Sequence, residues 1–244
     1  MAELVYPPII AAAKTMFRVL DVRLDVRGGE HIPRTGGAVI ACTHVSYLDF
    51  IYSGFGAQPS KRLVRFMAKH EVFANRIAGP LMRGMHHIPV DRGAGRGSYD
   101  EAVERLRAGE VVGVFPEATI SRSFTVKELK TGAVRMAADA GVPLVPMAVW
   151  GTQRMWTKGR PRALGQRHLP VIIRTGEPTR PQPDADVEAL TKDLRVMLQQ
   201  LLDEAQAAYP PAPPGESPWW LPVHLGGSAP TPEEAAQLDG PRPS

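Results

Sequence analysis

The chain contains a single cysteine, Cys42, among 244 residues. An intramolecular disulfide is therefore impossible, and a cysteine-built zinc site is excluded. A reducing, intracellular setting fits this usage. Long apolar runs are missing too. Leu4 to Ala13 is broken by Pro7 and Pro8 and ends at Lys14, well short of the ~20 residues that span a bilayer. Residues 35–60 carry Asp49 as their only formal charge, but a lone carboxylate is costly in lipid and turn and strand signals interrupt the stretch. No secretory leader is expected, because Glu3 stands where a basic start would be and no cleavage pattern follows. The absence of Gly-x-Ser-x-Gly argues against a serine hydrolase of the α/β-hydrolase type. Gly93, Gly95 and Gly97 precede a helix but lack the ending of a P-loop. His70, His86, His87 and His168 show no metal-ligand spacing, so no metal site is expected. Nucleic acid is not expected as a partner, since no recognisable binding module accompanies the positive charge.

That charge is unevenly spread. The net value is +4, yet from residue 209 onward Arg242 is the only basic residue against Glu216, Glu233, Glu234 and Asp239. Residues 1–208 hold 28 basic and 21 acidic groups. A basic body of this kind can face anionic lipid or phosphorylated substrates. Arginine outnumbers lysine by 22 to 7, which a GC-rich coding bias explains without function. Ten of the 24 prolines fall in residues 209–244. That composition predicts an extended or disordered tail, in which the Trp219–Trp220 pair has enough area to pack back on the domain.

Periodicity organises the rest. Pro7 to Val19 reads as a helix with Ile9, Ile10, Ala13, Met16, Phe17 and Leu20 on one face and Lys14 and Arg18 beside it. Such a face either lies in a membrane interface or packs on its own domain. Leu20 to Val26 alternates as a half-exposed strand. Ala38 to Cys42 and Val111 to Phe115 are short apolar runs of the buried type. Val64 to Ala68, His87 to Val90, Leu144 to Val149 and Pro170 to Thr175 are further strands. Helices are expected over Tyr47–Phe55, Glu71–Ile77 with a break at Gly79-Pro80, Ser98–Ala108 with Ser98 and Glu101 as a capping box, and Thr131–Ala140. Leu190, Leu194, Met197, Leu198 and Leu201 mark a long amphipathic helix. The alternation predicts a single α/β domain with a mostly parallel central sheet flanked by helices. Its expected divisions are an N-terminal amphipathic membrane-contact segment (1–19), the catalytic domain (20–208) and a Pro-rich tail (209–244).

Three clusters fall at strand ends, where α/β sheets place ligands. In Thr43-His44-Val45-Ser46-Tyr47-Leu48-Asp49, the carboxylate can fix the imidazole tautomer and make the other ring nitrogen a base for a hydroxyl. The same pair can also be structural. In Phe115-Pro116-Glu117-Ala118-Thr119-Ile120-Ser121-Arg122-Ser123, hydroxyls and a guanidinium can bind phosphate oxygens. Val90-Asp91-Arg92 offers a second guanidinium.

These blocks, in this order, resemble the glycerolipid acyltransferase family, the 1-acylglycerol-3-phosphate O-acyltransferases. The match begins at Gly28 to His31, Ile32-Pro33 and Gly36-Gly37. It continues through the His44 block, Met67-Ala68-Lys69 with Glu71 and Phe73, and Gly84 to Arg92. Phe-Pro-Glu with Thr119, then Lys130, Gly132 and Ala133, and a Val145-Pro146 strand complete it. The resemblance implies a direct transfer: His44 takes the proton of an acceptor hydroxyl, Asp49 orients it, and the oxygen attacks the thioester of an acyl-CoA or acyl carrier protein. Arg92 would bind the acceptor phosphate. Glu117, Thr119 and Arg122 would help hold it, with Lys69 and Lys130 in the accompanying blocks. The family implies no metal or prosthetic group, only the thioester co-substrate, and a membrane surface as partner. A peripheral or monotopic position on the cytoplasmic face of the cell membrane is expected. Three departures stand out: Thr43 replaces the usual Asn, Ala118 the usual Gly, and Ile120 the usual Arg, with Arg122 two residues later. Because Ala disfavours a positive φ, the loop at Ala118 is expected to differ or to adopt ordinary angles. Acylation of glycerol-3-phosphate or another lysophospholipid is the near alternative; a lipid-binding protein or a thioesterase lies outside the class.

Overall fold

The computed structural model describes residues 3–91, 97–212, 214–215 and 217–240. Seven strands form one sheet: β1 (Arg23–Arg27), β2 (Ala38–Cys42), β3 (Val64–Lys69), β4 (Ile88–Val90), β5 (Val111–Val114), β6 (Leu144–Trp150) and β7 (Pro170–Thr175). The main helices are α1 (Tyr6–Val19), α2 (Asp49–Gly56), α3 (His70–Ala74), α4 (Ala78–Gly84), α5 (Gly97–Arg107), α6 (Gly132–Ala140), α7 (Val187–Ala207) and α8 (Pro232–Asp239). The strand order is β1-β7-β6-β2-β5-β3-β4. All neighbours are parallel except β6 and β7, which pair antiparallel.

The central strand shows why the sheet is buried on both faces. Successive side chains point to opposite sides, so Val39 and Ala41 join the core under α5, α6 and α7, with Leu194, Leu198 and Leu202. Ala38, Ile40 and Cys42 face the other way and pack with Phe17, Tyr52 and Phe55 of α1 and α2. Every residue of β2 is fully buried. Burial also pushes the Cys42 thiol up to about 12, which leaves it a small apolar core residue.

Several expectations change in the structure. The first strand begins at Arg23 rather than Leu20. The helix expected to run to Ile77 stops at Ala74. Gly79-Pro80 then sits inside the first turn of a new helix, where a missing proline N–H is harmless. Asn75 Oδ1 accepts from the backbone N–H of Ile77 and Ala78 and starts that helix. Ser98 lies inside α5, so it does not serve as the cap. Gly93 and Gly95 lie outside the described residues, as does Arg92.

The amphipathic face of α1 is largely spent on the domain. Ile10, Ala13 and Phe17 join the core with α2, while Tyr6 and Ile9 pack with Phe73, Met82 and Met85. Met16, placed on that face by its spacing, is turned outward. The described part of the tail is not extended. Trp220 packs against Tyr209 with ring centroids 5.4 Å apart, the Arg154 guanidinium lies over the Trp220 ring at 4.6 Å, and α8 is capped at its N-terminus by a Thr231–Glu234 capping box.

Candidate active site

Three adjacent parallel strands, β5, β2 and β6, deliver their C-terminal ends to one edge of the sheet. His44 follows β2, Glu117 follows β5 and Thr152 follows β6. The chain crosses to different sides of β2 to make β5 and β6, and such a switch point opens a crevice.

Asp49 is wholly buried at the start of α2, and four donors surround it. Oδ2 accepts from the backbone N–H of Val45 and Ser46, both at 2.7 Å, and lies 3.1 Å from His44 Nδ1. Oδ1 accepts from the Thr152 hydroxyl at 2.7 Å. A carboxylate so held makes Nδ1 the donor and Nε2 the ring nitrogen available for a proton. The His44 ring also stacks on Phe115, with centroids 4.3 Å apart and planes 24° apart. The turn carrying both residues is clamped from outside. Ser46 Oγ donates to the Trp156 carbonyl, and Thr157 Oγ1 donates to that of Val45, each at 2.7 Å. Thr43 points elsewhere: its Oγ1 accepts from Val149 N–H and ties β2 to β6.

The loop after β5 is bonded to the same histidine through the backbone. Glu117 Oε1 accepts from His44 N–H at 2.7 Å and Oε2 from Lys127 N–H at 3.1 Å. The Ser121 N–H donates to the His44 carbonyl at 2.7 Å. Burial pushes the Glu117 carboxyl up to about 8, against the lowering effect of those two N–H donors. Ala118 does take a positive φ of 60°, so the loop keeps its left-handed turn without glycine, at a cost of about 1–2 kcal/mol. The expectation of ordinary angles there is corrected: the bonds from both ends of the loop over-determine its path.

The remaining predicted residues separate. Thr119 Oγ1 accepts from Lys127 Nζ at 2.8 Å. Arg122 is paired with Asp239 of α8 at 3.0 Å, and Lys127 and Lys158 bind the same carboxylate. Burial alone would raise Asp239, but hydrogen bonds from Lys127, Lys158 and Arg122 hold it down to about 2. Lys130 exposes its side chain while its N–H donates to the Pro116 carbonyl. Lys69 is exposed at the end of β3, two strands from β2. Thr152, Lys127 and Lys158 were not singled out in the sequence. For Thr152 the available signal was a hydroxyl just after a buried strand and Gly151, whose φ of 104° and close approach to the Pro170 carbonyl leave no room for a Cβ.

An apolar cavity of about 210 Å³ lies beneath α1, α2 and α4. Phe50, Ile51 and Gly54 line it immediately after Asp49, with Ile9, Leu81 and Met82 opposite. Leu81 is exposed at its rim. His87 closes one wall; it is buried and held down to about 3, chiefly by burial, so it stays neutral.

The family profile "Acyltransferase" matches residues 23–150. The 1-acyl-sn-glycerol-3-phosphate acyltransferase of Bacillus subtilis is 35% identical over 195 residues, covering 75% of this chain and 96% of that one. The chloroplastic enzyme LPAT1 of Arabidopsis thaliana is 28% identical over 185 residues, covering 74% of this chain; the match spans only 49% of that longer protein. The crystal structure of the 1-acyl-sn-glycerophosphate acyltransferase PlsC from Thermotoga maritima superposes with a TM-score of 0.68 at 26% identity, covering 84% of this chain and 80% of that one. With a His–Asp pair at the switch point and a family match over more than half its length, the chain belongs to the acyltransferase family of the 1-acylglycerol-3-phosphate acyltransferases.

Proposed function

We propose that the protein transfers a fatty acyl group from an acyl thioester, acyl-CoA or acyl carrier protein, to the free hydroxyl of 1-acylglycerol-3-phosphate, forming phosphatidic acid. The observation that carries this reading is the His44–Asp49 pair, with Asp49 fixed by three further donors. His44 Nε2 takes the acceptor's hydroxyl proton as the oxygen attacks the thioester carbonyl. Asp49 stabilises the imidazolium that forms. As the tetrahedral centre collapses, the C–S bond breaks and the imidazolium returns its proton to the departing thiolate. No acyl-enzyme is required. The apolar cavity that begins one residue beyond Asp49 suits an alkyl chain, and the Glu117–Arg122 loop brings cations to the same edge for the phosphate.

The substrates are amphiphiles, and the surface around the cavity is suited to a bilayer. Leu81 of α4, Val72 of α3 and Ile77 between these two helices are all exposed, Ile77 to 79%. Leu4 just before α1 and Met16 and Val19 within it are exposed, with Lys14 and Arg18 outward and Arg76 beside Ile77. Exposed apolar groups ringed by cations bind an anionic interface. No helix among the described residues is long and apolar enough to cross a membrane. A peripheral position on the cytoplasmic leaflet follows from this reading.

The test is a product assay by mass spectrometry. The protein is mixed with palmitoyl-CoA or palmitoyl carrier protein and a panel of glycerol-3-phosphate, 1-acylglycerol-3-phosphate and other lysophospholipids. Phosphatidic acid should form, and His44→Ala should lose about 10²–10⁴-fold in rate. Ester at the parent rate from His44→Ala would overturn the mechanism. Free fatty acid without ester would identify a thioesterase.

A further inference from the structure

Three cations converge on one carboxylate beside the His44 loop. Asp239 is the last residue of α8. Its Oδ1 accepts from Arg122 Nε at 3.0 Å and from Lys158 Nζ at 2.6 Å, and its Oδ2 accepts from Lys127 Nζ at 2.8 Å. The Lys127 backbone is bonded to Glu117, and Glu117 in turn holds the backbone of His44. One buried carboxylate therefore separates this cluster from the catalytic histidine's own main chain. All four side chains are mostly buried, with 15–30% of each exposed.

The cluster suits a phosphomonoester better than it suits Asp239. Three cations against one carboxylate leave two positive charges unbalanced. A phosphomonoester carries a charge of about −1.5 to −2 and three acceptor oxygens, one for each cation, whereas Oδ1 of Asp239 must serve two. Helix electrostatics do not explain the aspartate either, because an acidic side chain in the last turn opposes the helix dipole. Among the described residues, little else holds α8 in place. Ala235 is its one buried residue, and Leu238 is 58% exposed.

The geometry points to Arg122, Lys127 and Lys158 as the cradle for the acceptor's phosphate, and to Asp239 as an internal stand-in that the phosphate displaces, so that the C-terminal helix competes with the acceptor. This rests on the acyl-transfer reading for the molecule that bears the phosphate. The displacement itself requires no turnover.

Two measurements on the full chain test it. In steady-state kinetics Asp239→Asn should lower the KM for 1-acylglycerol-3-phosphate by about 3–10-fold, as expected when the blocked form is roughly 70–90% populated. The donor KM should stay the same. Lys158→Gln should raise the acceptor KM. An unchanged or higher acceptor KM in an Asp239→Asn protein that melts like the parent would overturn the proposal. In the second measurement, hydrogen exchange of the α8 amides is followed with inorganic phosphate, with 1-acylglycerol-3-phosphate, and with sodium chloride at matched ionic strength. Exchange should quicken with both phosphates, more strongly than with chloride, and the effect should be lost in Lys158→Gln. Protection that neither phosphate changes would sink the displacement whether or not the protein makes ester. Quickened exchange without ester would instead sink the acyl-transfer reading and keep the cradle.

Discussion

Thr152 donates its hydroxyl to Asp49 Oδ1 at 2.7 Å across 103 residues of chain. Both side chains are fully buried, so no solvent competes for the bond. The carboxylate that orients His44 is thereby fixed from β6 as well as from its own turn. Removing one partner of a buried hydrogen bond costs about 1–3 kcal/mol. Thr152→Val should accordingly lower kcat about 5–100-fold and leave the substrate KM values nearly unchanged. Thr152→Ser should restore most of the rate. A Val variant with normal kcat would show that the turn alone positions the pair.

Ala118 at φ 60° is a strained position in an otherwise well-bonded loop. Glycine removes the Cβ clash, worth about 1–2 kcal/mol, and costs about 0.5–1 kcal/mol in backbone entropy. Ala118→Gly should therefore be neutral or stabilising by up to about 1 kcal/mol in chemical denaturation. A clear loss of stability would mean that the methyl group makes contacts that outweigh the strain.

Glu117 links stability to pH. Its carboxyl is raised by burial to about 8 in the folded chain from an ordinary value of 4.5. Between these values the folded state keeps a proton that the unfolded state has lost, so rising pH favours unfolding. The contribution is full below about pH 4.5 and is lost as pH rises through 8. Glu117→Gln, which mimics the protonated form, should flatten the fall in Tm between about pH 5 and 8. An equal slope in parent and variant would assign the pH dependence to other groups.

Gly54 faces the apolar cavity, and a Cβ built there meets only Phe66, at 4.0 Å. The Cβ itself therefore meets no clash, and the cavity offers room beyond it. Gly54→Leu should favour shorter acyl donors, lowering the palmitoyl rate relative to octanoyl by at least about tenfold. The helix should not suffer, since leucine is the better helix former by nearly 1 kcal/mol. Chain preference unchanged by this variant would place the acyl group elsewhere.

Local pattern made much of this molecule readable. The apolar run Ala38–Cys42 reads as a strand buried on both faces that delivers Thr43 and His44 at its end, and it is one. His44 and Asp49 are five residues apart on one tight turn, so their meeting is a local event. Gly79-Pro80 looks like a helix break, yet the interruption falls earlier, at Asn75 to Ile77: a proline can open a helix as well as end one, and the capping by Asn75 decides which. The face of α1 was visible as apolar. Whether that face met lipid or protein depended on the hydrophobic gap left between α2 and α4, which no local window contains.

The sequence by itself determined the α/β alternation, the buried central strands and the His44–Asp49 pair, because each depends on contacts between residues close in the chain. Only the tertiary structure decided that Thr152 completes the Asp49 site, that Glu117 grips the backbone of His44, and that Arg122, Lys127 and Lys158 meet on Asp239. Those contacts join residues 73 to 117 positions apart. The order of strands in the sheet brings such groups together, and that order is set by packing over the whole chain.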